Sequence, residues 1–223
     1  MQKIRLYDAT KLDRKHMMFS NKQLLTLLLP IMVEQLLNSF MGMADTMMVS
    51  NVGSAAISAV SLVDSINVLV IQVFTALGAG AAIICSQYLG RGDRESSNEA
   101  ARQVTLSVLT ISTVLSVICV VFRGSLLHLI FGQVEKAVMD NSVIYFLLTA
   151  ISFPFIALFD AGGAFYRAAG NSRFPMMISV LSNGLNIAGN AVLIFGFQMG
   201  VEGAALSTLS LIHISEPTRL RCI

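Results

Sequence analysis

Two carboxylates and an amide interrupt an otherwise apolar run near the N-terminus. Residues 24–50 read LLTLLLPIMVEQLLNSFMGMADTMMVS and contain Glu34, Asn38 and Asp45. At about 100° per residue these three fall within one narrow stripe of a helix. A charged side chain at the bilayer centre costs about 2.5–3.5 kcal/mol on insertion scales. The stripe must therefore turn from lipid toward a bundle interior or a watery cavity. A carboxylate held there binds a proton or a cation, so Asp45 and Glu34 are candidate ion or cationic-ligand sites. Glu34, nearer the start of the run, equally suits an interfacial position with its head in water.

Further along, Asn183, Asn186 and Asn190 recur at spacings of three and four, which places them on one helix face. Three amides in one stripe make either a polar cavity wall or an interhelix hydrogen-bond ladder. An amide carries no proton, but it can coordinate a cation or orient a carboxylate. Asp64 and Asn67 stand three apart with Gln72 beyond them, and Asp64 fits either a polar interior or an exposed outer interface. Asp160 lies close to the cytoplasmic end of its span, before GGAFYRAAG, and an ion pair with Arg167 across the helix end is the expected arrangement. No HExxH, Walker, GxSxG or cysteine–histidine grouping is present, and His16 and His128 are isolated. GAGAA at 78–82 lacks the strand context of a phosphate loop and reads as packing glycine. Nothing in the chain points to an intramembrane enzyme or to nucleic-acid binding, and Na⁺ near Asp45 is the one metal ion to weigh.

The elements that position these residues are membrane spans. The chain has 223 residues, 55% hydrophobic and 13% charged, against about 25% charged in soluble domains; its mean hydropathy is +0.72. Continuous apolar runs without strict alternation argue for an all-α polytopic bundle and against a β-barrel. Spans are expected over about 24–50, 57–89, 103–122, 142–165 and 174–197. A short turn at 51–56, a charged loop at 90–102, a mixed connection at 123–141 and a basic loop at 166–173 separate them. A sixth span opens at Val201. Residues 1–23 form a basic arm without the apolar core or cleavage site of a leader, so the first span is expected to serve as the insertion signal. The arm holds six lysines and arginines, loop 90–102 holds Arg91, Arg94 and Arg102, and loop 166–173 holds Arg167 and Arg173, against Arg123 and Lys136 opposite. The positive-inside rule then places the N-terminus in the cytoplasm. Cys85, Cys119 and Cys222 suit neither a metal site nor a disulfide framework and read as small core residues.

The C-terminus departs from this pattern. After Val201 the span reaches Glu216, Pro217, Arg219 and Arg221 before it can cross a membrane. Residues 209–219, LSLIHISEPTR, also resemble the translation of a transposase adapter used in sequencing libraries. The expectation is three segments: an arm over 1–23, a helical lobe over 24–208, and a non-native tail over 209–223 beyond which the natural sequence continues. His213, in that tail, is not a site candidate.

A family resemblance rests on several stretches in order: Pro30, ADTMMVSNVG (44–53), ALGAGAAIICSQYLGRGD (76–93), FYRAAGNSRFPM (165–176), LNIAGNAVLIFG (185–196) and GVEGAALST (200–208). Together they resemble the N-terminal half of MATE (multidrug and toxic compound extrusion) transporters, over about residues 23–208. The resemblance implies a twelve-helix exporter of two six-helix lobes, with substrate in a central cavity and H⁺ or Na⁺ as the coupling ion in place of any bound cofactor. It implies as partners a small organic cation, the lipid bilayer and a C-terminal lobe from the same gene, with the protein in the plasma membrane. Asp45 matches the family's first-helix aspartate of the cation site and Asn186 its fifth-helix asparagine. Asn190 stands where some members carry a second aspartate, so a two-carboxylate site of that form is not reproduced. Glu34 and Asp64 match no hallmark of the family.

Two rival readings stay beside this one. A lipid-linked oligosaccharide flippase of related fold needs a cationic cavity for pyrophosphate, whereas these spans hold Glu34, Asp45, Asp64 and Asp160 and no lysine. A non-transporting membrane fragment is the other.

Overall fold

In hydrocarbon every backbone N–H and C=O must be paired within its own segment, so long apolar runs fold as helices. A computed structural model of the chain describes residues 20–197 and Gly203. The basic arm over 1–19, most of the sixth span, the tail, His16, His213 and Cys222 lie outside the described residues. Among those described there is no strand. Six α-helices follow in order: α1 Asn21–Ser50, α2 Ser54–Gly90, α3 Arg94–Val121, α4 Arg123–Phe131, α5 Lys136–Ala168 and α6 Arg173–Asn190; a π-helical turn, Ala191–Gly196, continues α6. Five of these segments, α1, α2, α3, α5 and α6 with its π turn, are long and apolar enough to cross a membrane. Their outer faces carry large apolar side chains such as Leu25, Met32, Phe40, Leu69 and Leu181, as suits contact with lipid tails.

Local chemistry sets the boundaries. Ser20 and Gln23 form a reciprocal capping box that starts α1 within the expected basic arm. Gly53, at φ +139°, makes the tight reversal into α2, a conformation that side chains with a Cβ rarely adopt. The expected charged loop at 90–102 is for the most part helix. Asp93 caps α3 by accepting from the Ser96 N–H at 3.0 Å, and Glu95 adds an acid to the first turn. Polar residues of this stretch thus extend α3 beyond its apolar part. The Ser96 hydroxyl and backbone hold the Asp93 carboxyl below its usual range. The connection at 123–141 likewise contains α4 and the start of α5. These differences share one cause: apolar content marks where a helix meets lipid, not where its hydrogen bonds stop.

The helices sort into two groups. α2, α3 and α5, with α4, share one apolar core built on Val63, Phe74, Val108, Leu127, Phe146 and Phe153. The Phe74 and Phe153 rings meet edge to face with centroids 6.1 Å apart. Cys85 and Cys119 are buried, as expected of small core residues. Gly78 lies against α5, where an added Cβ would sit 3.5 Å from the Ala164 Cβ and 3.6 Å from the Asp160 carbonyl. Gly80 has open space instead, so only one of the two expected packing glycines packs. α1 and α6 form the second group, joined mainly by polar contacts. A small apolar plug of Val49, Ala56, Val60 and Ile194, with Met48 and Tyr145 against it, closes the α1–α2 hairpin onto the π turn.

Candidate functional site

The stripe on α1 meets the amide stripe on α6 rung by rung. Glu34 accepts from the Ser179 hydroxyl at 3.2 Å, Asn38 accepts from the Asn183 amide at 3.4 Å, and Asp45 accepts from Asn190 Nδ2 at 2.6 Å. Each pair is separated by 145 residues. A constant offset means that the two helices run parallel, as first and fifth spans entering from the same side must. The rungs fall at steps of four and seven, the spacing of a left-handed helix seam. Asn186 lies on the same face of α6, and its Oδ1 accepts from Asn190 Nδ2 at 3.0 Å. Asn190 therefore bonds both Asp45 and Asn186 through one nitrogen. The amide stripe acts as an interhelix ladder, with Asn183, Asn186 and Asn190 all buried. Asn38 and Asp45 on the facing helix keep more exposure.

The lower end of the ladder differs from expectation. Glu34 does not hold its carboxylate out in solvent; it is 6% exposed. It accepts from Arg167 Nη1 at 3.3 Å as well as from Ser179, so it ties α1 to α5 and α6 together. The expected Asp160–Arg167 pair is replaced by this one, and Asp160 accepts instead from the Thr75 hydroxyl at 3.1 Å. Seven residues put Arg167 almost two helical turns beyond Asp160, at the end of α5, from which its long side chain reaches Glu34 on α1.

The upper end gathers residues from four elements. Asp64 on α2 is half-buried rather than fully exposed. It accepts from Asn67 Nδ2 at 3.3 Å and from the Tyr145 hydroxyl of α5 at 3.4 Å. Asp45 and Asp64 lie close enough to interact electrostatically, and the Tyr145 hydroxyl feels both. Tyr145 was not singled out in the sequence; its one signal is a lone hydroxyl within the apolar VIYFLL run. Asn190 is the last residue of α6 before the helix widens into its π turn. Such turns recur at functional sites because they offset the carbonyl ladder. Among the described residues no group of three histidine, cysteine or acidic side chains could hold a metal ion. What the upper cluster can do is present carboxylate, amide and phenol oxygens to a small cation or a proton.

Comparison with known proteins adds the following. The MatE family model matches residues 30–192. The "Uncharacterized transporter YisQ" of Bacillus subtilis is 32% identical over 189 residues, which is 83% of this chain and 41% of that protein. The "Probable multidrug resistance protein NorM" of Thermotoga maritima is 32% identical over 195 residues, covering 84% and 41%. The "Multidrug export protein MepA" of Staphylococcus aureus is 27% identical over 181 residues, covering 81% and 40%. Among solved structures, a MOP superfamily transporter from Pyrococcus furiosus superposes with a TM-score of 0.84 at 22% identity, covering 89% of this chain and 43% of that one. An outward-facing multidrug resistance MATE family transporter gives the same TM-score and identity, covering 89% and 44%. This chain spans about two-fifths of the length of the curated relatives it matches.

Proposed function

The chain belongs to the MatE family, and from that premise we propose that it forms the N-terminal lobe of a secondary active exporter of lipophilic organic cations, driven by entry of H⁺ or Na⁺. A second lobe of similar size completes the transporter in this reading, and the plasma membrane, with the N-terminus inside, is its place. The share of each relative that the chain covers supports the two-lobe arrangement. The observation that carries the mechanism is the 2.6 Å contact between Asn190 Nδ2 and Asp45, which joins two parallel spans through an ionisable group.

The coupling works through that contact. With Asp45 charged, the Asn190 N–H makes a charge-assisted hydrogen bond, worth about 1.5–3 kcal/mol. When an ion or proton neutralises Asp45, the bond falls to the 0.5–1.5 kcal/mol of a neutral pair. The difference, about 1 kcal/mol, shifts an equilibrium between two packings of α1 on α6 by roughly five-fold. Further contacts that change with the same packing add to it. A cationic substrate and the coupling ion compete for one negative centre, so entry of one favours release of the other. Asn38 and Asn183 line the same seam below it and hold the spans in register.

The test is extrusion of a fluorescent cationic dye from cells that express the two-lobed protein containing this chain. Asp45→Asn is expected to abolish energised extrusion while membrane insertion is unchanged. Extrusion by Asp45→Asn at the unsubstituted rate would remove Asp45 from the mechanism.

A further inference from the structure

The upper cluster holds more than the α1–α6 pair. α1 and α2 run antiparallel across the reversal at Gly53. The apolar plug brings Val49 of α1 together with Val60 of α2. One turn inward from Val49 is Asp45, and one turn inward from Val60 is Asp64. The hairpin thus sets the two carboxylates at the same depth, and they interact electrostatically. Among the described residues no lysine or arginine makes an ion pair with either; Arg167 is paired with Glu34 far along α1. Two like charges in an apolar bundle need a cation or a shared proton between them.

Two amides favour the cation. Asn190 is fully buried and Asn67 is 9% exposed. Each spends its nitrogen on a carboxylate, Asn190 on Asp45 and Asn67 on Asp64. Each leaves its Oδ1 buried with no donor. A buried amide oxygen without a partner costs about 1–3 kcal/mol. The two orphan oxygens belong to the very amides that flank Asp45 and Asp64. A single shared proton engages only two oxygens and leaves these unsatisfied. A hard cation takes several oxygens at once. Divalent ions ask for about 6–8 oxygens or strict octahedra, more than one oxygen from each of Asp45, Asp64, Asn67, Asn190 and Tyr145 supplies.

We propose that Asp64 and Asn67 of α2 complete a Na⁺ site with Asp45 and Asn190, with Asp64 as its second carboxylate. Tyr145 fixes Asp64 through its hydroxyl. The proposal rests on the coupling reading above and names its ion and two of its ligands. It makes α2 a reporter of ion occupancy alongside α1 and α6, because the cation draws Asp64 and Asp45 together across the hairpin.

The experiment is binding of ²²Na⁺ to the purified two-lobed protein at pH 8, with choline chloride holding ionic strength. The component to follow is the one that Asp45→Asn removes. Asp64→Asn is expected to weaken it at least ten-fold and Asn67→Ala at least three-fold, while Leu129→Ala, on an exposed face, leaves it unchanged. Matched elution on gel filtration and matched helical signal establish folding. If Asp64→Asn does not fold, Asn67→Ala and Tyr145→Phe decide the matter on the same thresholds. Affinities within two-fold of the unsubstituted protein overturn the proposal. So does the absence of saturable Na⁺ binding at pH 8, which would mean that the carboxylates share a proton. Dye extrusion separates the two levels. Asp45→Asn-sensitive extrusion with unaltered Na⁺ affinity in Asp64→Asn sinks this inference alone, whereas Asp45→Asn-insensitive extrusion sinks the coupling reading.

Discussion

Removing Arg167 leaves Glu34 as a buried carboxylate with one hydroxyl for company, and the cost can be worked from the geometry. The Glu34 side chain is 8% exposed and that of Arg167 30%. Breaking a fully buried ion pair from one side costs about 3–5 kcal/mol. The exposure of the guanidinium admits water and screening, and Ser179 still donates to Glu34, so Arg167→Met is expected to cost about 2 kcal/mol. Glu34→Gln keeps an acceptor for Ser179 and removes the charge that needed Arg167, so its cost is about 1 kcal/mol. The double variant is then no worse than Arg167→Met alone. The coupling between the two positions comes to about 1 kcal/mol or more, as befits residues in direct contact. Unfolding in mixed micelles by titrated SDS, followed by helical circular dichroism, measures all three. A loss under about 0.5 kcal/mol for Arg167→Met, or strictly additive single effects, would refute the ion pair as the tie between α1 and α5.

Two other perturbations follow from the packing and capping. Gly78→Leu pushes a side chain into Ala164 and the Asp160 carbonyl and is expected to cost about 1–3 kcal/mol; Gly80→Leu meets open space and stays within about 0.5 kcal/mol, a contrast that SDS unfolding resolves. Asp93 caps α3 with its carboxyl held low by Ser96. The sign follows from linkage: the cap's contribution is full above the unfolded carboxylate value of about 3.9 and is lost as pH falls through the lower folded value. Hydrogen-exchange protection of the first turn of α3 is expected to hold at pH 5 and decline only below about 3.9.

The five spans were legible because the membrane imposes one solution on long apolar runs, and the parallel relation of α1 and α6 followed from counting crossings. The stripes of Glu34, Asn38 and Asp45 on one helix, and of Asn183, Asn186 and Asn190 on another, were legible from the helical period. Their pairing was not. Periodicity gives a face but no partner, and the constant offset between the two stripes is set by how the helices slide along one another. The same limit explains Arg167. Its charge suggested the nearest acid along the helix, Asp160, whereas the partner, Glu34, is 133 residues away on another helix. Polar extensions such as 94–102 of α3 were read as loop because hydropathy reports solvent, not hydrogen bonding. The π turn after Asn190 left no mark in the sequence, since AVLIFG suits any helical form.

In the proposed mechanism, charge on Asp45 governs transport. This role is tested most directly in proteoliposomes holding the purified two-lobed protein, with a fluorescent cationic dye on one side and an imposed Na⁺ or pH gradient. Dye movement against its own gradient is expected for the unsubstituted protein, and gradient-independent leak alone for Asp45→Asn. Equal gradient-driven transport by both proteins would contradict it.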